Sequence, residues 1–224
     1  MLFADDRLYS YRDSSATWSE VGRCQSIVHT ERPIAATGTD QSMPDAASLG
    51  GVTVLAWEDS RGGVWWAVAE LTSGRLLRPA EQLDANGQRP RCWVAGDRLH
   101  VYYAVAAANR VWCVVVNPSA FLTAPAPVVL VATLSAANQT YDAMTLESGI
   151  GAGVCMAWAL DTGGYQVAFI DPSGVIGSAV TGWPTSIAWA ADAITGPLAV
   201  ANTSFAPYVA VAYVATNNVN VRVL

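Results

Sequence analysis

A hairpin unit that recurs about every fifty residues is the feature that most constrains the fold of this chain. Each copy has an apolar strand that ends near an aromatic residue, a turn of polar or small residues, and a second apolar strand. Successive aromatic landmarks are 46, 55 and 55 residues apart. One turn with three or four strands per fifty residues is what a β-propeller blade requires. The landmarks are Trp57, Tyr103, Trp158 and Tyr213.

The repeat predicts an all-β fold, a β-propeller of four to five blades of about fifty residues, or a portion of a larger propeller. A β-sandwich is the alternative, but sandwich strands do not usually recur as a longer period with a repeated hairpin. We expect either that the N-terminal strands complete the last blade or that the chain is a portion of a longer propeller protein. The predicted ranges are N-terminal strands forming a partial blade at 1–50, blades at 51–95, 96–148 and 149–195, and a partial blade at 196–224.

The composition is apolar without indicating a membrane protein. Apolar residues make up 52% of the chain and charged residues 13%, as expected for short strands buried on both faces. The longest apolar region, residues 111–134, is cut by three prolines, so no membrane-spanning helix is predicted. The net charge is −6 and no basic residues cluster, which excludes a nucleic-acid interface.

No metal site or cofactor is predicted. The four cysteines lie far apart, and Cys113 and Cys155 fall inside strand-like runs where cysteine behaves as a small hydrophobe. We expect His100 to be a partly buried strand residue and His29 a surface loop residue. No Gly-x-Ser-x-Gly motif supports a serine hydrolase. Three aspartates lack the spacing of a calcium loop: Asp40, Asp45 and Asp59.

A glycosidase would need paired carboxylates at a controlled separation, or a Tyr–Glu nucleophile with an arginine cluster that holds a substrate carboxylate. Most of the available carboxylates stand in turn contexts, where capping of the turn is the expected role. No catalytic residue is therefore assigned, and the binding residues stay open. Trp183, which precedes a proline in a turn, is a possible platform for a sugar ring. The candidates are Glu58, Asp59, Glu70, Asp142 and Glu147, with Arg61, Arg89 and Arg91.

Residues 11–18 resemble the Asp box of sialidase-like propellers, Ser/Thr-x-Asp-x-Gly-x-Thr-Trp. Asp13, Thr17 and Trp18 match the motif, and residues 57–65 form a looser version with one extra residue. In that family the aspartate caps a hairpin turn while the tryptophan packs inside the blade. The resemblance implies a propeller fold and no activity.

A second resemblance covers residues 30–34, 39–47 and 54–64, which look like β-propeller proteins of tailed bacteriophages. It implies a non-enzymatic virion protein of the tail or tail fibre, with an assembly or host-recognition surface. The implied partners are other virion proteins, copies of the chain in a symmetric assembly, and a host-surface glycan. The competing hypothesis is a sialidase-like glycoside hydrolase or a glycan-binding propeller module.

Overall fold

The structure is a computed structural model in which strands dominate. Among the described residues the helical structure is a single 3₁₀ turn at Ala106–Ala108. The chain divides into two compact units, Met1–Pro33 and Ile34–Leu224. Described are residues 2–4, 7–12, 17–23, 40–121, 127–131, 134–136, 140–146, 152–161, 163–177, 186–189, 194–202, 209–215 and 218–223.

The first unit holds a three-stranded antiparallel sheet in which each strand pairs with the next along the chain. Its strands are β1 (Leu2–Ala4), β2 (Arg7–Arg12) and β3 (Thr17–Arg23).

The second unit holds four consecutive sheets, each with its strands hydrogen-bonded in chain order and antiparallel. We call these sheets the first to fourth blades. The first blade contains β4 (Gln41–Leu49), β5 (Val52–Asp59), β6 (Val64–Glu70) and β7 (Leu76–Asp84). The second contains β8 (Gly87–Ala95), β9 (Arg98–Val105), β10 (Arg110–Val116) and β11 (Val128–Val131). The third contains β12 (Tyr141–Thr145), β13 (Val154–Ala159), β14 (Tyr165–Ile170) and β15 (Ser186–Trp189). The fourth contains β16 (Ile194–Asn202), β17 (Val209–Ala215) and β18 (Asn218–Val223).

Burial on both faces of a blade explains the continuous apolar runs of the sequence. Successive strand residues point to opposite faces, so Cys155 and Ala157 of β13 pack toward the fourth blade, while Met156 packs toward the second. The same division holds in β9, where Val101 belongs to the core shared with the first blade and Tyr102 to the core shared with the third. Each pair of neighbouring blades thus encloses one apolar core.

The structure confirms the all-β propeller prediction. The four landmark residues each lie in the second strand of a blade. Hydrogen bonding groups residues 41–84, 87–131, 141–189 and 194–223, so each blade begins 11 to 15 residues before the repeated hairpin. The cause is an additional strand that pairs in front of each hairpin. The described residues include no helix long and apolar enough to cross a lipid bilayer.

Several predicted features lie outside the described residues. The turn of the Asp-box-like motif at Asp13 is among them, as are His29, Glu147 and Trp183. Cys113 and Cys155 are buried, as predicted.

His100 makes a buried polar link between the second and third blades. It is fully buried rather than partly buried as predicted. Its Nε2 lies 3.0 Å from the carbonyl oxygen of Pro172, and its Nδ1 lies 2.6 Å from the hydroxyl of Tyr102. Because a carbonyl only accepts, Nε2 carries the proton and Nδ1 accepts from the tyrosine. Burial lowers the pKa of His100 below its ordinary value.

The link predicts that folding weakens on mild acidification. Since the folded pKa of His100 is depressed, its contribution is complete above the unfolded pKa of about 6.5 and is lost as the pH falls toward the folded pKa, by at most about 1.4 kcal/mol per pH unit. His100→Gln keeps a donor and an acceptor but does not titrate. Urea unfolding between pH 7.5 and 5 should show a steeper loss of the free energy of unfolding in the wild type than in this variant. Parallel curves would contradict the assignment.

Candidate functional site

The first strands of the four blades carry one register-equivalent position. In each blade the residue before the aromatic landmark pairs with a residue of the first strand. The landmark-adjacent residues are Ala56, Tyr102, Ala157 and Ala212, and their partners are Asp45, Arg91, Asp142 and Ala199. The repeat therefore places two carboxylates and one guanidinium-bearing side chain at corresponding points of three successive blades.

Bulges precede this position in the first two blades. Met43 and Arg89 have positive φ values, 48° and 53°, and each is followed by a proline. The pairing register shifts at these places, between Ser42 and Asp45 and between Gln88 and Arg91. A bulge re-aims the side chains beside it, and non-glycine residues at positive φ concentrate at binding sites. The two bulges therefore make this end of the first strands a candidate binding site.

These segments surround a cavity of about 540 Å³, which we call the first-strand cavity. An adjoining recess of about 480 Å³ shares Arg91 and Asp142 with it and adds Asp45. Side chains or backbone from all four first strands line the cavity. Its lining residues are Met43, Arg89, Arg91, residues 140–142 and residues 196–199.

Asp45 and Asp142 make the same contacts in their respective blades. Asp45 accepts backbone N–H bonds at 2.9 Å from its neighbour Ala46 and from Cys92 on the first strand of the second blade. Asp142 accepts one at 3.0 Å from Val200 on the first strand of the fourth blade, and a second from its own neighbour, Ala143. Each carboxylate therefore joins the first strands of two blades and faces the space between them.

The electrostatic environment separates Asp142 from an ordinary carboxylate. Burial raises its pKa and the nearby Asp45 raises it further, while the two backbone N–H groups and Arg91 lower it, with a net increase. A carboxyl with a raised pKa beside a second carboxylate is the arrangement that acid–base chemistry uses. The guanidinium of Arg91 makes no hydrogen bond to any other residue that the structure describes.

Asp59 and Arg61, which were also candidates, serve the turn between β5 and β6. Arg61 donates two hydrogen bonds of 2.8 Å to the Asp59 carboxylate and stacks 3.6 Å above the ring of Trp65. The hydrogen bond from Arg61 holds the pKa of Asp59 well below its usual value. Glu70 caps an exposed turn through Ser73. The turn-capping role expected for these carboxylates is thus what their contacts describe.

The structure brings together Asp142, Arg89 and Arg91 from the candidate set, with Glu58 bonded to the backbone of Arg89. It adds Asp45, which the sequence pattern raised only as a calcium ligand with the wrong spacing. A signal for Asp45 was present in the spacing. Asp45 stands twelve residues before Trp57, Arg91 stands twelve before Tyr103, and each follows a proline.

Comparisons with known proteins inform the fold. No protein-family model matches the sequence, and no curated protein matches it. A triple arginine-to-alanine variant of AofleA from Arthrobotrys oligospora aligns at a TM-score of 0.53 and 10% identity, over 83% of this chain and 57% of that one. An α-L-arabinanase from Penicillium chrysogenum, complexed with arabinobiose, aligns at 0.50 and 15%, over 96% and 65%. An intramolecular trans-sialidase from Ruminococcus gnavus aligns at 0.50 and 11%, over 90% and 44%.

These similarities support the propeller fold, and the chain spans less than two thirds of each of these structures. They contradict the expectation of a non-enzymatic phage tail or tail-fibre protein, because similar folds belong to an arabinanase and a trans-sialidase. The physical reason lies in residues 30–34, 39–47 and 54–64, on which the phage resemblance was based. Of these, residues 41–47 and 54–64 form strands and a turn that hold a blade together, a feature of the fold with no bearing on a virion role.

The buried ion pair of Asp59 should contribute more to stability than an ion pair exposed to solvent. Asp59→Asn removes the charge that pairs with Arg61 in a buried turn, so the melting temperature should fall by roughly 5 °C. The matched control is Asp97→Asn, which breaks a solvent-exposed ion pair with Arg98 and should change the melting temperature very little. Differential scanning calorimetry at pH 7 checks this. Equal shifts for the two variants would contradict the structural role of Asp59.

Proposed function

We propose that this chain binds an oligosaccharide in the first-strand cavity and hydrolyses one of its glycosidic bonds. The observation that carries the proposal is that Asp45, Arg91 and Asp142 occupy equivalent register positions and together line the recess that adjoins the first-strand cavity. Glycoside hydrolysis requires two carboxyl groups that flank the scissile bond, one protonated and one ionised. Asp45 and Asp142 supply two carboxyl groups to one recess, and burial raises the pKa of Asp142.

Asp142 is the general acid in this proposal. A carboxyl must hold its proton to donate it to the leaving oxygen, and burial together with Asp45 favours the protonated form of Asp142. Asp45 is the second carboxylate of the pair and acts on the opposite side of the scissile bond. Arg91 lines the same recess as both carboxylates and supplies hydrogen-bond donors to substrate oxygens.

The scaffold supports the saccharide substrate class. The arabinanase and the trans-sialidase named above have a similar fold and act on saccharides. A fold alone does not determine function. The residues that line the cavity support a saccharide-binding role for this chain, because their polar groups converge from several blades. The expectation of a symmetric assembly stays a prediction.

Hydrolysis of a panel containing arabino-oligosaccharides and sialylated oligosaccharides tests the proposal, with released sugar measured by chromatography. The wild type should hydrolyse at least one member. Asp142→Asn and Asp45→Asn should each lower kcat by at least about a hundredfold, since each removes one member of the acid–base pair. The rate should fall as the pH rises through the raised pKa of Asp142, because the general acid loses its proton.

Glu70→Gln is the matched control, since Glu70 lies in an exposed turn outside the cavity. It should leave kcat unchanged. Binding of a saccharide with no turnover by the wild type would contradict the catalytic part of the proposal. Turnover that survives both aspartate substitutions would place the chemistry elsewhere in the molecule.

A further inference from the structure

The bulge at Arg89 is held from two different blades. We propose that Glu58 and Tyr141 are positioning residues that clamp the Arg89 backbone and thereby keep Arg91 in the cavity wall that it shares with Asp142. The inference rests on the proposed function for the reaction it would serve. The geometry of the clamp itself is independent of any reaction.

The backbone of Arg89 has a partner on each side. Its N–H donates to Oε1 of Glu58 in the first blade at 2.5 Å. Its carbonyl oxygen accepts a hydrogen bond from the hydroxyl of Tyr141 in the third blade. Arg89 itself belongs to the second blade, so the two bonds tie three successive blades together at one residue.

The clamped residue is in a conformation that needs support. Arg89 has a φ of 53° and precedes Pro90, a combination that a non-glycine residue adopts at a cost in free energy. Such a conformation persists where surrounding contacts fix it. The two hydrogen bonds are contacts of that kind, because they engage both the backbone N–H and the backbone carbonyl of Arg89.

Tyr141 is suited to act as the donor. Its side chain is 6% exposed, and burial raises its pKa well above the ordinary value for a phenol. The hydroxyl therefore keeps its proton throughout the working pH range and donates to the Arg89 carbonyl. Glu58 is half-buried and contributes an oxygen acceptor, a role that does not need a change in its protonation state.

The bulge connects the clamp to the cavity. Arg91 follows Arg89 by two residues, where the pairing of β8 with β9 resumes. The backbone conformation at Arg89 thus sets the direction in which the Arg91 side chain leaves the strand. Arg91 on β8 and Asp45 on β4 line the same recess as Asp142, and the backbone N–H of Val200 donates to Asp142 from β16. Of these groups, Arg91 supplies the positive charge.

The clamp can be tested through Asp142 without relying on turnover. Tyr141→Phe deletes the donor and Glu58→Ala deletes the acceptor. Each should let Arg91 move away from Asp142 and raise the pKa of Asp142 by about half a pH unit or more, because a stabilising cation is withdrawn. NMR titration of ¹³C-labelled aspartate, assigned with Asp142→Asn, measures this directly in the folded protein. Where hydrolysis is observed, kcat/KM should fall roughly tenfold in both variants.

Two further variants separate positioning from general destabilisation. Glu58→Gln retains an oxygen acceptor for the Arg89 N–H and should keep the wild-type pKa of Asp142. Tyr165→Phe removes a buried hydroxyl from the same blade outside the cavity and should also keep it. Should Tyr141→Phe fail to fold, Glu58→Ala, at a less buried position, carries the test.

The inference is overturned if Glu58→Ala leaves the pKa of Asp142 at its wild-type value, or if Tyr165→Phe shifts it equally. It is also overturned if Glu58→Gln abolishes hydrolysis without moving that pKa, since Glu58 would then take part in the chemistry. A wild-type protein that hydrolyses nothing removes the proposed function alone, because the NMR readout of the clamp is unaffected.

Discussion

The structure depends on a carboxylate that accepts backbone N–H groups from its own strand and from the first strand of the next blade. Asp45 does this between the first and second blades, and Asp142 between the third and fourth. First strands carry the residues nearest the cavity, so these bonds set the spacing of its walls. The apolar cores farther along the blades hold the sheets together but do not by themselves place any polar group at the cavity.

A carboxylate that joins two strands and also faces a cavity has two competing demands on its proton. Hydrogen bonds from N–H groups favour the charged form, and burial favours the neutral form. At Asp142 burial and the negative charge of Asp45 outweigh the N–H groups and Arg91. At Asp59 the balance is reversed, because a bidentate arginine contacts the carboxylate directly. The two carboxyl groups therefore differ: the pKa of Asp59 is lowered in a turn, and the pKa of Asp142 is raised beside a cavity.

Much of the fold follows from the sequence, and the reasons are local. The landmark at Trp57 and the glycine-rich turn after it specify a hairpin through strand period and turn chemistry alone. The strand Gln41–Leu49 is harder to recognise because it is polar and carries Pro44, yet it pairs with β5 on both sides of the bulge at residues 43–44. Candidate residues Arg91 and Asp142 could be named, but their meeting depends on contacts between residues about fifty positions apart. Asp45 could be identified as a site residue only from the strand register, which aligns it with Arg91 and Asp142.

The account is tested most directly by a crystal structure of the Asp142→Asn variant grown with an oligosaccharide that the protein binds. The variant retains the amide oxygen that can accept from Val200, so the walls of the cavity should be preserved. We expect a sugar ring where the first-strand cavity meets its adjoining recess, within hydrogen-bonding distance of Asp45 and Arg91. A sugar bound at another surface, with the first-strand cavity free of it, would contradict the account.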